Sequence, residues 1–292
     1  MNIGQVKIAE DSDFGLLKQL VDDNSNWKLE YNNKDGATKV WTKMTVNSNF
    51  KMVKVHTVFP NVSPNTMFDV LHDPEYRKEW DEHMISSIEI GYLNPNNDIG
   101  YYALSCPSPV KNRDFVLQRS WLDFGTEKLI FNHSVDHKSY PPKKGYIRGD
   151  SLLTGFVIRP LERGCFLGYI TQTDPKGKLP SWLINKLTQK FAPKVVKKLE
   201  KAAEGYEIWK RSQCNPQYKP WIYPEQTLLS KRVCVSDVRD ARTQNASTSK
   251  FYPLFLCSVS VRAKLHRVVP FAESRGRGRI TKIRLRNEEV ES

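Results

Sequence analysis

From Ile85 to Asp174 the chain reads as one strand after another. "ISSIEIGYL", "IGYYALSC", "RDFVLQRSWLDF", "EKLIFNHSV", "GYIRGDSLLTGFVIRPL" and "CFLGYITQTD" follow one another across turns. Each is rich in β-branched and aromatic residues, many of them at period two. No helical period interrupts them, so nothing is available to carry a parallel crossover, and antiparallel pairing is favoured. The next signal is of the opposite kind. In "LPSWLINKLTQKFAPKVVKKLEKAAEGYEIW", Leu183, Leu187, Phe191, Val195, Leu199 and Ala203 recur every four residues, the apolar stripe of one long amphipathic helix. Pro193 removes a backbone donor inside it and predicts a kink. The fold class is therefore α+β, a large antiparallel sheet with one long helix at its end. A strongly curved sheet closing on such a helix can enclose a cavity, but periodicity shows the elements and not the hollow.

Upstream, "DSDFGLLKQLVDD" offers Asp11, Ser12 or Asp13 as an N-cap, with Phe14, Leu17 and Val21 at near-helical spacing, so a short opening helix is predicted. "WKLEYNNKDGATKVWTKM" is two alternating runs around a turn, a hairpin. "NFKMVKVHTVF" continues as a strand with Val53, Val55 and Thr57 on one face. "SPNTMFDVLHDPEYRKEWDEH" is helical, capped by Ser63 and divided by Pro74 into two short helices.

The formal charge of +13 raises nucleic acid or an anionic membrane as partners, but its placement matters more. From Thr227 onward there are 14 Lys and Arg against 6 Asp and Glu, so the first 226 residues carry only +5 of it. No nucleic-acid partner is expected on that balance. We read residues 227–292, with "QNASTS" and "SRGRGRITKIRLR", as a basic, mostly disordered tail. Five cysteines at irregular spacing, without a Cys-x-x-Cys pair or a secretory leader, predict reduced thiols and a cytoplasmic protein. The longest apolar run, "FYPLFLCSVSV", has 11 residues, too few to span a bilayer.

"YRKEWDEH", Tyr76 to His83, packs two bases, three carboxylates, two large aromatics and a histidine into eight residues. Arg77 and Asp81 are four apart and share a helix face. They are either an exposed ion pair or one wall of a binding site, and spacing alone leaves both open. His72, Asp73, Glu79, Glu82 and His83 contain the groups of an acid–base set, but no serine or cysteine nucleophile is placed with them, so no catalytic residue is assigned. His133 and His137 of "HSVDH" have metal spacing only on a helix. Their surroundings read as strand, where they would lie about 13 Å apart, so no metal site is assigned and no cofactor is expected. "RGD" at Arg148–Asp150 falls in a strand, and "RGRGR" is too short to argue for RNA.

Several stretches together resemble the START lipid-transfer family: "DPEYRKEWDEH", "GYYALSCPSPVKNRDFV", "SWL", "YPPKKGYIRGDSLLTGFVI", "DPKGKLPSWLINKLTQKFAPKVVKKL" and "KPWIYPEQ". The match runs over residues 13–226, leaving 1–12 as an N-terminal extension, and is nearest the phospholipid-transfer branch. The resemblance implies a helix-grip fold, a curved antiparallel β-sheet closed by the long C-terminal helix around a lipid tunnel. It also implies a non-enzymatic, monomeric carrier of one phospholipid, phosphatidylcholine and/or phosphatidylethanolamine, between membranes.

By that resemblance Arg77 contacts the lipid phosphate and Asp81 balances its charge. The positions of the family's choline cage fall on Tyr102, Phe115 and Leu152. Leu152 departs from the aromatic pattern, which weakens strict choline selection and implies tolerance of both headgroups. The loop "CPSPVKNRD", with Val110, is the expected gate. Trp182, Lys186, Lys190 and Lys194 beside the apolar stripe suit transient docking on an anionic membrane surface. Two other functions fit the same pocket: a lipid-gated sensor or adaptor whose tail recruits a partner, and a lipid hydrolase.

Overall fold

A computed structural model describes residues 2–45, 48–177 and 192–239. Its centre is a ten-stranded sheet in the order β1-β2-β3-β10-β9-β7-β6-β5-β4. The strands are β1 (Lys28–Asn32), β2 (Thr38–Thr45), β3 (Ser48–Phe59), β4 (Met84–Asn94), β5 (Asn97–Leu104), β6 (Asn112–Asp123), β7 (Lys128–Ser134), β8 (Tyr146–Arg148), β9 (Asp150–Pro160) and β10 (Cys165–Asp174). Every neighbouring pair along this order is antiparallel. The exception lies off the path, where β8 pairs with β6 in parallel. The run "GYIRGDSLLTGFVIRPL" is thus two strands rather than one. The break falls at Gly149, where an added Cβ would lie 2.5 Å from the Phe115 ring.

Helix α1 (Asp11–Asp22) covers one face of the sheet. Phe14, Leu17 and Val21 pack there with Met52, Leu129, Phe131, Leu153, Val157 and Ile170. The approach is close enough that a Cβ on Gly155 or Gly168 would meet Leu17 or Val21 at 2.5 or 2.4 Å. The helix cap is Glu10, not one of Asp11, Ser12 and Asp13, and Asp13 completes a capping box with it.

The other face receives α2 (Pro64–His72), α3 (Pro74–Trp80) and α4 (Ala192–Ser212). Ser63 caps α2 through Thr66 N at 3.0 Å and Pro74 starts α3, as the sequence predicts. Side chains alternate across a strand, so the residues opposite the α1 layer face these helices. Phe59, Trp121, Ile130, Ile158, Cys165 and Leu167 form one core there with Met67, Phe68, Leu199, Ala203 and Tyr206. The first part of the predicted long helix, and the bend expected at Pro193, lie outside the described residues.

Both ends of the chain depart from the expected boundaries. Residues 2–10, read as an extension, run against the sheet: Gly4 N donates to Ser134 O at 2.9 Å, Lys7 N to Gln118 Oε1 at 3.1 Å, and Val6 is a core residue beside Ile90 and Ile99. Residues 227–239, read as tail, also hold fixed partners. Tyr92 N donates to Lys231 O at 2.9 Å, Val233 N to Tyr92 O at 3.1 Å, and Lys138 N to Asp237 O at 2.8 Å. Gly91 permits this, because a Cβ would stand 2.8 Å from Lys231 O. Backbone pairing along an edge strand has no side-chain period, which is why the sequence does not announce it. The rest of the tail lies outside the described residues.

Candidate functional site

The helix-facing side of the sheet is not uniform from end to end. At the end formed by the last residues of β3 and β9 and the first of β10, the inward residues Phe59, Ile158, Cys165 and Leu167 are all at most 3% exposed. Toward the other end the same strands change character. Along β9, Leu152, Thr154 and Phe156 are half-buried while Ser151, Leu153, Gly155 and Val157 between them are buried. On β10, Tyr169, Thr171 and Thr173 are half-buried and alternate with buried Gly168, Ile170 and Gln172. On β5 and β6, inward Tyr102, Leu104 and Leu117 are half-buried as well. These side chains are less completely covered than Phe59 and Ile158, although Phe156 still packs against the same core. Thr154 and Thr171 satisfy each other's hydroxyls at 2.8 Å, so they add little unpaired polarity to the inward face.

Arg77 looks into this region from α3. Its Nε donates to Asp81 Oδ2 at 3.1 Å, and the Tyr102 hydroxyl donates to the same oxygen at 2.7 Å. Asp81 Oδ1 accepts the His83 amide at 3.3 Å, which fixes the carboxylate. The guanidinium lies 5.1 Å from the Trp80 ring centre and 5.5 Å from that of Tyr102, within cation–π reach of both. Burial opposes the Arg77 charge, but Tyr102 and Asp81 outweigh it and its pKa rises. Burial first, then Asp81, pushes the Tyr102 phenol well above its ordinary value, so it stays protonated and donates. Arg77 is surrounded, yet its side chain keeps 33% of its surface open. Asp81 engages only Nε, so this ion pair leaves the Nη1/Nη2 edge, the two-pronged one that suits phosphate.

The stretch Tyr76–His83 thus divides its labour. Tyr76 anchors α3 to α4 by donating to Ala202 O at 2.6 Å and packing on Tyr206 and Trp209. Lys78 and Glu75 pair on the surface, and Glu82 bridges to Lys198 of α4. The junction of α2 and α3 is tied to α4 and the segment behind it. Asp73 caps α3 and accepts from Tyr206 at 3.0 Å and Lys210 at 2.8 Å, while Asp69 accepts from Lys219 and the Trp221 indole.

Of the other residues singled out from sequence, Phe115 is the cross-strand partner of Tyr102 and shares its face. Leu152 is half-buried on the inward face of β9. Val110 is half-buried in the loop between β5 and β6, its amide donating to Pro107 O at 2.9 Å. Lys194 is exposed on α4, and Trp182, Lys186 and Lys190 lie outside the described residues. His133 ends in a hydrogen bond to Gln5 O at 2.9 Å, and no metal-binding group of His, Cys, Asp or Glu occurs among the described residues. No helix among them is long and apolar enough to cross a membrane.

Trp80 reads as packing and does pack against the helix-facing core, its buried indole N–H having no partner among the described residues. Sequence reasoning missed one neighbour of Arg77. Tyr169, inward on β10, is close enough to feel the Arg77 charge, although burial dominates and raises its pKa. Helix spacing finds Asp81, whereas a strand ninety residues downstream gives no such signal.

A curved antiparallel sheet gripped by a helix, with a half-buried arginine paired to a carboxylate between them, is the arrangement of a lipid-transfer fold, and this chain belongs to the START domain family, which matches residues 7–207. Human START domain-containing protein 10 is 39% identical over 226 residues, spanning 77% of both chains. The crystal structure of human STARD10 superposes with a TM-score of 0.74 at 38% identity, covering 81% of this chain and 97% of that one. Bovine phosphatidylcholine transfer protein is 30% identical over 159 residues, 53% of this chain and 74% of its own.

Proposed function

We propose that this chain carries one phospholipid molecule at a time between membranes, acting from the cytoplasm as a single chain and without transforming its cargo. The observation that carries this reading is the Arg77–Asp81–Tyr102 constellation at the accessible part of an inward face whose other side chains are apolar or, like Thr154, Thr171 and Thr173, hydrogen-bonded to one another. A lipid chain gains about 0.8 kcal/mol per methylene on leaving water. A carrier must therefore offer the chains a dry space and the headgroup a polar anchor inside it. Leu152, Phe156 and Leu117 suit the first need and Arg77 the second. Trp80 adds an uncommitted donor next to the guanidinium.

In this reading Arg77 takes the phosphate on its free edge while Asp81 and Tyr102 hold it in place. When the space is empty, Asp81 offsets the buried charge. Tyr102 and Phe115 meet the headgroup nitrogen, and aliphatic Leu152 beside them leaves the cage open, so both phosphatidylcholine and phosphatidylethanolamine are accepted. The relatives named for phosphatidylcholine transfer support the substrate class. Lys194 and the basic residues before it favour brief contact with an anionic surface.

Native mass spectrometry of the full chain, mixed with phosphatidylcholine and phosphatidylethanolamine vesicles, tests the reading. One intact diacyl phospholipid per chain is expected, and Arg77→Ala should reduce capture at least about tenfold, the loss that one charge-assisted hydrogen bond predicts. Equal capture by the variant removes the phosphate assignment, and free fatty acid in place of intact lipid removes the carrier.

A further inference from the structure

A cavity of about 370 Å³ lies apart from Arg77, between the α2–α3 junction, β4, β6 and the chain that follows α4. Glu89 of β4, Arg119 of β6, Trp209 and Lys210 of α4, and Tyr218 and Trp221 behind it stand in its wall. Arg77, Tyr102 and Tyr169 do not border it.

The charges decide what this cavity can hold. Its two cations are already committed. Lys210 Nζ donates to Asp73 Oδ2 at 2.8 Å. Arg119 donates through Nε and Nη2 to the two carboxylate oxygens of Asp98, and through Nη1 to His72 O at 3.3 Å. An anion entering here would meet no uncommitted positive group. The carboxylates differ from one another. Asp73 has Lys210, and Glu75 has Lys78. Glu89 has no ion-pair partner among the described residues; the Tyr92 phenol hydrogen-bonds to it, and it keeps part of its surface open. Surrounding protein first, then Asp98, raises its pKa, the shift of a carboxylate short of positive charge.

Much of the remaining wall is aromatic and held in place. The Trp221 indole donates to Asp69 Oδ1 at 2.7 Å, and its ring stacks on His72 at 5.7 Å. Trp209 packs on Tyr76, and Tyr218 is 41% exposed. Lys210 Nζ lies 5.9 and 5.7 Å from the ring centres of Trp209 and Trp221, so these rings already serve one cation. Fixed rings together with an unpaired carboxylate complement a second cation with a flat face.

We propose that this cavity is a separate binding site for a small planar organic cation, of the guanidinium or amidinium type, with Glu89 as its counter-charge and Trp209, Tyr218 and Trp221 as its walls. Such a cation presents paired N–H donors that match one carboxylate, and a face that stacks on rings. The site goes beyond the carrier reading and does not depend on it.

The test titrates benzamidine and agmatine into the full chain by calorimetry, with benzoate as the anionic control. One molecule of either cation should bind per chain with a Kd of about 1 mM or tighter, and benzoate should not bind. Glu89→Gln keeps the size of the side chain and removes its charge. It should weaken benzamidine at least about tenfold, the loss of a charge-assisted hydrogen bond. Tyr218→Ala should weaken it about two- to fivefold, as one lost ring face predicts. Arg77→Ala should bind both cations as the wild type does. No saturable binding of either cation, equal binding of benzoate, or wild-type affinity in Glu89→Gln overturns the site. A tenfold loss in Arg77→Ala would put the probes in the lipid site and overturn it as well. Should Glu89→Gln fail to fold, Tyr218→Ala decides, and unchanged affinity in that variant overturns the proposal.

Discussion

The two ends of the inward sheet face use the same strands for opposite purposes. At one end Phe59, Ile158, Cys165 and Leu167 meet α2 and α4 and lose nearly all contact with solvent. At the other, further along the same strands, Leu152, Thr154, Tyr169 and Thr171 keep part of their surface free. Hydrophobicity separates the two sets only in part, since Leu152 stands with the accessible residues, and strand propensity does not separate them. What differs is what stands opposite: Tyr76, Trp80, Tyr206 and Trp209 pack at the first end, while Arg77 stands near Tyr102 and Tyr169 at the second. The contrast teaches that stability and cargo space are separate properties of one surface. Closing the far end tightly lets the near end stay unfilled.

The largest expected effect strikes the closed end. Phe59→Ala, read by denaturant unfolding, should cost about 3–5 kcal/mol, because a fully packed ring leaves a cavity that its neighbours cannot refill. A cost under about 1.5 kcal/mol would erase the distinction between the ends. Leu152→Ala is the matching change at the open end. It should cost less than about 1.5 kcal/mol, since the side chain already borders space. It should also alter the distribution of bound lipids in native mass spectrometry.

The smallest effect is electrostatic and sharpens the account of the closed end. His72 is buried among Phe68, Trp121 and Trp221, with its Nδ1 hydrogen-bonded to Phe68 O at 2.9 Å. Burial first, then Arg119 and Lys128, holds its pKa well below 6.5. Unfolded, the ring takes up a proton near its ordinary value of about 6.5; folded, it does not. The unfolded state therefore binds more protons below that pH, and stability falls as pH drops through 6.5 and onward toward the folded value. The slope should approach about 1.4 kcal/mol per pH unit from this group. Denaturant unfolding at pH 7.5, 6.5 and 5.5 reads it, and His72→Gln should flatten the curve. An unchanged slope would mean that other groups carry the acid sensitivity.

Much of this architecture was legible in the chain. Ser63, Pro64 and Pro74 marked the two short helices, the period-two runs marked the sheet, and the four-residue spacing of Arg77 and Asp81 survived as a real contact. These are local signals, set within a turn or two of backbone. What escaped was set by distant partners. Lys54 reads as the solvent side of β3 but is fully buried, donating to Val21 O, Asp23 O and Asn24 Oδ1 at the end of α1. Tyr169 near Arg77 and the hydrogen bonds of Arg113 to Pro175 O and Lys176 O likewise join positions far apart in sequence. Residues 2–10 and 227–239 escaped because they are held largely by backbone and polar contacts, which leave no apolar period. The roles proposed for Tyr102, Phe115 and Leu152 rest on the family resemblance, since composition offers none.

The short run at 231–233 lying along β4 has a further consequence. β4 is the last strand of the sheet, and a bare last strand is a template on which a second chain can extend the ladder. By occupying the main-chain groups of Tyr92, these residues cap the ladder where it would otherwise invite self-assembly, so a protein trimmed after residue 226 would keep the ties of Lys210, Lys219 and Trp221 and lose its protection against clumping.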